Sequence, residues 1–493
     1  MVNKMDIPTV LSGPILRRVE PSHIYIWIAL RKRYRLGAKL YQIEKVDDTN
    51  FAYHEIDCHS ETTTFRAGKQ LYISLVKLSP PNQTQFPVNT LLGYNLLFQK
   101  NSEIHDLQDF GLLGKKQPNS ITYGDLDYPS FFIPDPTQQK TNLLYGSCRK
   151  LHGKGEDTLS QGDETIEMNY LDLEKRPDAL FLLGDQIYAD DVPDPIFQIM
   201  VKAGKKLIGN GEKLTEIEPR LKEKPFKKSI NQARGRQFIM EHFCKFTSFH
   251  ARNHAITFGE YATLYLLSWS PELWDAYTDD GNFPSFKDKV KKEHIYFISP
   301  KNKRKKEKKA YEKEYNEQVA DVKKTYQTLT KVRRLLANIP TYMIFDDHDI
   351  TDDWNISHNW KNNVYSSKLG RHVVANGLMA YWLFQGWGND PDRFDVAFLR
   401  KMWRYSKTYD TRSHSHDAWE EILWKFNQWN FVAPTNPTSI FLDTRTQRKY
   451  DYTPLPVSLG RTIEGKGPSS SAYWRTWLAD GNRLFIRKWM EKR

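Results

Sequence analysis

Cysteine is scarce in this chain: its 493 residues contain three, Cys58, Cys148 and Cys244. A small odd number excludes a disulfide framework and makes a reducing compartment the expectation. Long hydrophobic runs are missing too, since no stretch approaches the roughly 20 apolar residues of a membrane helix. Arg17-Arg18 raises a twin-arginine export signal, but the next apolar stretch, Ile24 to Leu30, is short and follows Glu20 and His23. It reads as a strand and not as a signal core, so a cytoplasmic location is expected.

What is present suits an enzyme. Hydrophobic residues at 39% and aromatics at 13% suffice to build cores, and the length predicts two domains. The net charge of +12 would draw phosphorylated or polyanionic partners without naming one, and most of the excess reads as solvated surface.

Residues 1–140 read as β. Ile24-Tyr25-Ile26-Trp27-Ile28 and Leu71-Tyr72-Ile73-Ser74-Leu75-Val76 are rich in β-branched and aromatic residues, and segments such as Ser79-Pro80-Pro81-Asn82-Gln83 separate the strands. A small N-terminal β-sandwich is expected, carrying no catalytic signature and ending near Asp135-Pro136. From about 141 onward apolar strands alternate with helical stretches, the syntax of an α/β layer structure, so residues 141–493 form the expected second domain.

Within it, residues 202–228 are rich in Lys, Glu, Gly and Pro and read as an insertion or mobile loop. Lys301 to Asn338 differs. After the basic opening Lys301-Asn302-Lys303-Arg304-Lys305-Lys306-Glu307-Lys308-Lys309, apolar residues from Tyr311 through Val322 and Leu329 to Leu336 recur at helical spacing. That stripe predicts a helix packed on the strand starting near Thr341. The basic run admits a nuclear-localisation or nucleic-acid reading, although such runs are usually solvated helix faces.

Apolar runs end abruptly in ligand clusters at Leu143-Leu144-Tyr145 into Gly146-Ser147-Cys148, Leu180-Phe181-Leu182-Leu183 into Gly184-Asp185-Gln186-Ile187-Tyr188, and Tyr342-Met343-Ile344-Phe345 into Asp346-Asp347-His348-Asp349. Such runs read as strands buried on both faces, and ligands gather beyond the carboxyl ends of parallel strands. In an extended segment Asp347 and Asp349 would point one way and Asp346 and His348 the other. Asp352 and Asp353 follow within one loop. So many ionisable groups together would repel one another unless cations neutralised them. Taken singly, Asp185 is compatible with a turn cap, His348 with a satisfied buried histidine, and Cys148 with a small core residue. Together the clusters point to a metal site.

Gly146-Ser147-Cys148, Gly184-Asp185-Gln186-Ile187-Tyr188-Ala189-Asp190 and Asp346-Asp347-His348-Asp349 with Asp352-Asp353-Trp354 resemble the ordered motifs of the alkaline phosphatase D (PhoD-like) metallophosphatases. That family belongs to the calcineurin-like phosphoesterase superfamily. Leu442-Asp443-Thr444-Arg445 after Ser439-Ile440-Phe441 resembles a further block, so the resemblance spans roughly 141–450, and the β-rich part is similar to the domain preceding the family's catalytic core.

The resemblance implies an αββα sandwich holding a dinuclear metal centre, for which Cys148, Asp185, Tyr188, Asp346, Asp347, Asp349 and Asp353 become the candidate ligands. Cys148 would bind as a thiolate, Asp185 would bridge, Tyr188 would add a phenolate, and Asp347 would ligate the second metal. Iron with calcium is the implied pairing, with other divalent metals open. The implied activity is hydrolysis of phosphate mono- or diesters by a metal-activated water. His348 would serve the leaving group, and Arg445 would neutralise a phosphate oxygen, a role to be set against that of a structural ion-pair partner.

The family also completes its site with late histidines in a Gly-Asp-Val-His type block. This chain has no histidine beyond His416, and after Arg445 it offers Tyr473-Trp474-Arg475-Thr476-Trp477-Leu478 and a basic tail. The expectation is an incomplete C-terminal end, or a site completed differently. A catalytically silent relative that binds an anionic ligand or partner therefore stays open as the alternative.

Overall fold

The computed structural model describes residues 7–138, 140–209, 211–279, 281–407 and 414–450. The segment after Arg445 from Asp451 onward, with Tyr473 to Leu478, lies outside the described residues, as does the side chain of His416. The architecture is mixed α/β.

The N-terminal part holds β1 (Val10–Glu20), β2 (His23–Leu30), β3 (Arg35–Lys45), β4 (Phe51–Ile56), β5 (His59–Gly68), β6 (Leu71–Ser79), β7 (Leu92–Lys100), β8 (Glu103–Asp106) and β9 (Ser130–Phe131). They form antiparallel sheets of order β1-β2-β6-β5 and β4-β3-β7-β8, with β9 paired to β7. Strand β2 explains why its sequence reads as an unbroken apolar run. Ile24, Ile26, Ile28 and Leu30 enter the core between the two sheets. Tyr25, Trp27 and Ala29 point the opposite way, into the core shared with the α/β part. A period of two places alternate residues on opposite faces, and here both faces are covered. Polar links cross the same boundary: Trp27 Nε1 donates to the Leu383 carbonyl at 2.8 Å. Arg17 on β1 donates to Asn389 Oδ1 at 2.8 Å.

The α/β part is built on β10 (Leu143–Gly146), β11 (Ala179–Leu183) and β12 (Thr341–Ile344), parallel and in the order β10-β11-β12. Tyr145 pairs with Phe181, and Phe181 with Tyr342, so the strand ends lie side by side. Only β12 is buried throughout. The expectation of two-sided burial fails for β10, the edge strand, where Tyr145 is 77% exposed, and for the end of β11, where Leu183 is 43% exposed. A short antiparallel pair, β13 (Phe431–Ala433) and β14 (Ser439–Phe441), packs its rings against this sheet. Phe441 meets Phe181 edge-on at 4.7 Å between centroids.

The helix Lys305–Asn338 forms as its apolar spacing predicts: Val322, Leu329 and Val332 are wholly buried, while Lys305, Lys306, Lys308 and Lys309 remain on the exposed side. At about 1.5 Å per residue it is roughly 50 Å long, and it packs chiefly on β1 and the helix Leu159–Asn169, not on the strand at Thr341 as expected, before delivering the chain to β12. The expected loop at 202–228 is replaced in its first part by the end of the helix Asp194–Ile208, with Ala203, Gly204, Leu207 and Ile208 buried. Charged residues there occupy one face only, so composition concealed an amphipathic stripe. Gly204 is needed because a Cβ would lie 2.7 Å from the Gly259 backbone of the helix Phe258–Trp269. Short helical turns at Leu214–Ile217, Pro219–Lys222 and Phe226–Ser229 follow. Among the described residues no helix is long and apolar enough to cross a membrane.

Candidate metal centre

The chain leaves β11 through Gly184, at φ 115°, and Asp185, at φ 50°. A Cβ on Gly184 would lie 2.5 Å from Asp346 Cβ, so only glycine permits the loops after β11 and β12 to approach this closely. Cys148, itself at φ 60°, is tied to the same turn: its N–H donates to the Gly184 carbonyl at 3.2 Å, and the Arg149 N–H donates to the Asp185 carbonyl at 2.8 Å. Left-handed conformations at residues other than glycine are uncommon and strained, and such residues cluster at functional sites.

After β12 the chain makes a tight 3-10 turn over Asp347–Asp349 instead of continuing extended. The expected two-way alternation is therefore not observed. Asp349 turns inward and is wholly buried. Its Oδ2 accepts the N–H groups of Asp185 at 2.8 Å and Asp346 at 3.1 Å. Its Oδ1 accepts from Gln186 N–H at 3.1 Å, Tyr265 OH and Gln385 Nε2. This carboxylate fastens the two loops together. Asp346 and Asp347 both face Arg445, whose Nε lies 2.5 Å from Asp346 Oδ1 and whose Nη2 lies 3.1 Å from Asp347 Oδ1.

Ligand atoms of Asp185, Asp347 and His348 lie within 4.8 Å of one another, and so do those of Asp347, Asp352 and Asp353. Asp347 belongs to both groups. Cys148 Sγ lies 3.3 Å from Asp185 Oδ2. The structure thus brings Cys148, Asp185, Tyr188, Asp347, His348 and Asp353 to one place. It leaves Asp346 and Arg445 paired at the margin and Asp349 beneath.

The electrostatics of this donor set are unfavourable without added positive charge. Burial, reinforced by the charges of Asp349 and Asp346, raises the Asp185 pKa. Burial raises Cys148, with Asp185 adding to it, and raises Tyr188, with Asp185 and Cys148 adding to it. Burial and Asp190 raise Asp352. Each of these groups is pushed toward its neutral form by burial first and by neighbouring charge second, the condition that a bound cation reverses. The residues present therefore fit metal ions.

His348 is pulled down by burial but raised further by Asp190, ending at about 9. Its Nδ1 lies 2.8 Å from Asp190 Oδ1, and its ring stacks on Tyr188 at 4.2 Å. Asp190 is wholly buried and also accepts from Ser248 Oγ at 2.8 Å. Asp190 closes the Gly184 to Asp190 motif, but the sequence gives it no role. Its neighbour Asp191 pairs instead with Lys150 and His152, and only the fold decides which of the two aspartates meets His348. A cavity of about 400 Å³ opens beside Cys148 between β10 and the helix Leu159–Asn169.

No family model matches this chain, and no curated protein matches it. Among solved structures, one described as "Structure of PhoD" aligns with 92% of this chain at 11% identity and a TM-score of 0.36. The chain spans 55% of the length of that structure.

Proposed function

We propose that this protein is a metal-dependent hydrolase of phosphate mono- or diesters of the PhoD-like kind. The observation that supports it most is the convergence of Asp185, Asp347 and His348, with Asp347 shared by the group of Asp352 and Asp353, beyond the ends of adjacent parallel strands. In this reading the soft thiolate of Cys148 and the phenolate of Tyr188 would join Asp185 at a site suited to iron, and the carboxylates of Asp347, Asp352 and Asp353 would suit a hard ion such as calcium. Metal ions held there supply the positive charge that acidifies a water and offsets phosphate charge.

The remaining roles belong to the chain itself. Asp190 holds His348 through Nδ1, which leaves Nε2 to deliver a proton to the departing oxygen. Arg445 keeps Asp346 and Asp347 in position, the structural member of its two sequence readings. Asp349 holds the turn that presents Asp347 and His348. Residues 1–140 act as a supporting domain and 141–493 as the catalytic one, an αββα sandwich whose facing sheets include β10–β12 and β13–β14.

Elemental analysis of the purified chain, with turnover of bis-p-nitrophenyl phosphate and p-nitrophenyl phosphate in added iron and calcium, tests this. Bound metal, lowered by Asp185→Asn, and a visible thiolate or phenolate charge-transfer band lost in Cys148→Ala and Tyr188→Phe are expected. A colourless protein without transition metal would sink the ligand assignment. Bound metal without turnover would favour the catalytically silent relative.

A further inference from the structure

Away from the metal centre, a groove of about 620 Å³ runs between β5 and the helix Val396–Lys407. Its cations are Arg33, Arg66, Lys69, Arg400 and Lys407, and among the described residues no carboxylate lines it. A neighbouring recess shares Arg33, Lys69 and Tyr72 and adds Lys32 and Lys100, again without a carboxylate. The positive strip is therefore longer than one phosphate group. Like charges gathered on one face repel one another, and a bound polyanion relieves that repulsion.

Aromatic surface accompanies the charge. Trp403 is 41% exposed, with Lys407 Nζ 3.4 Å from its ring centroid. Tyr72 lines both recesses, with the Arg66 guanidinium 5.8 Å from its ring. Cations that track a backbone beside rings on which bases stack are the requirements for holding an unpaired strand.

We propose that this groove binds single-stranded nucleic acid, with phosphodiesters along Arg33, Arg66, Lys69 and Arg400 and a base on Trp403. An anionic bilayer fits less well. The apolar face of the helix Val396–Lys407 is already engaged: Met402 and Tyr405 are wholly buried, and Phe398 packs on Trp382. The surface is also concave, whereas a bilayer is flat. The groove shares no residue with the metal centre, so this inference stands apart from the phosphoesterase reading.

Fluorescence anisotropy of a labelled oligo(dT) with the full chain, over a salt series, tests it. Arg66→Glu/Lys69→Glu/Arg400→Glu should weaken binding at least about tenfold and reduce the salt slope by roughly 2, from about 0.7 per lost phosphate contact. Lys305→Glu/Lys308→Glu/Lys309→Glu removes the same charge from an exposed helix face and should leave the affinity within about twofold. Trp403→Ala should weaken binding about fivefold or more without changing the salt slope, and it remains informative if the triple variant fails to fold. The proposal is overturned if the oligonucleotide does not bind or if the helix triple loses as much as the groove triple. It is also overturned if phosphatidylserine vesicles bind where oligo(dT) does not.

Discussion

Gly184 shows how much of the site depends on one missing side chain. Its positive φ and the 2.5 Å approach of Asp346 Cβ leave no room for a methyl group. Gly184→Ala should therefore destabilise the protein by about 2 kcal/mol or more in denaturant unfolding, and lower metal occupancy with it. Asp349 works by acceptance, since both oxygens receive backbone N–H groups from the loops after β11 and β12. Asp349→Asn turns an amide NH2 toward those donors and should cost about 1–3 kcal/mol by the same measurement. A variant as stable as the parent would show that the turn is held by other contacts.

At the scale of elements, the helix Lys305–Asn338 divides into an exposed basic face and a buried stripe. Leu329→Ala should cost about 2–5 kcal/mol, whereas Lys306→Ala should be nearly neutral. Another junction joins the helix Lys368–Tyr381 to its neighbours through His372, whose nitrogens lie 2.6 Å from Glu212 and 2.8 Å from Glu420. Burial pulls the His372 pKa down, but the two glutamates raise it further, from 6.5 to about 9. The folded state thus keeps a proton that the unfolded chain releases near 6.5. This contribution is full below about pH 6.5 and is lost as pH rises through about 9. Melting curves of the parent and His372→Gln should diverge at acidic pH and converge above pH 9. A constant difference across that window would show that the proton does not stabilise the fold.

For the whole molecule, metal ions that bind only the folded centre should add stability by mass action. Chelator should lower the melting temperature. The gap between loaded and chelated protein should widen as pH rises, because protons compete with cations for raised carboxylates such as Asp185 and Asp352. An unchanged melting curve in excess chelator would mark the acidic cluster as purely structural.

The three strands, the long helix and the candidate ligands were legible in the sequence by itself, because each is written locally: Leu180 to Leu183 before Gly184-Asp185, Tyr342 to Phe345 before Asp346, and apolar spacing from Tyr311 to Leu336. Local pattern carries local structure. Only the tertiary structure decided what each carboxylate does. Asp346 meets Arg445 across 99 residues, Asp349 meets Asp185 across 164, and Asp190 meets His348 across 158. Adjacent aspartates look alike in one dimension, and the tight turn after β12 sends them to different partners. The groove of Arg66, Lys69 and Arg400 was equally hidden, since its charges come from segments far apart in the chain and share one face only once β5 and the helix Val396–Lys407 are packed together.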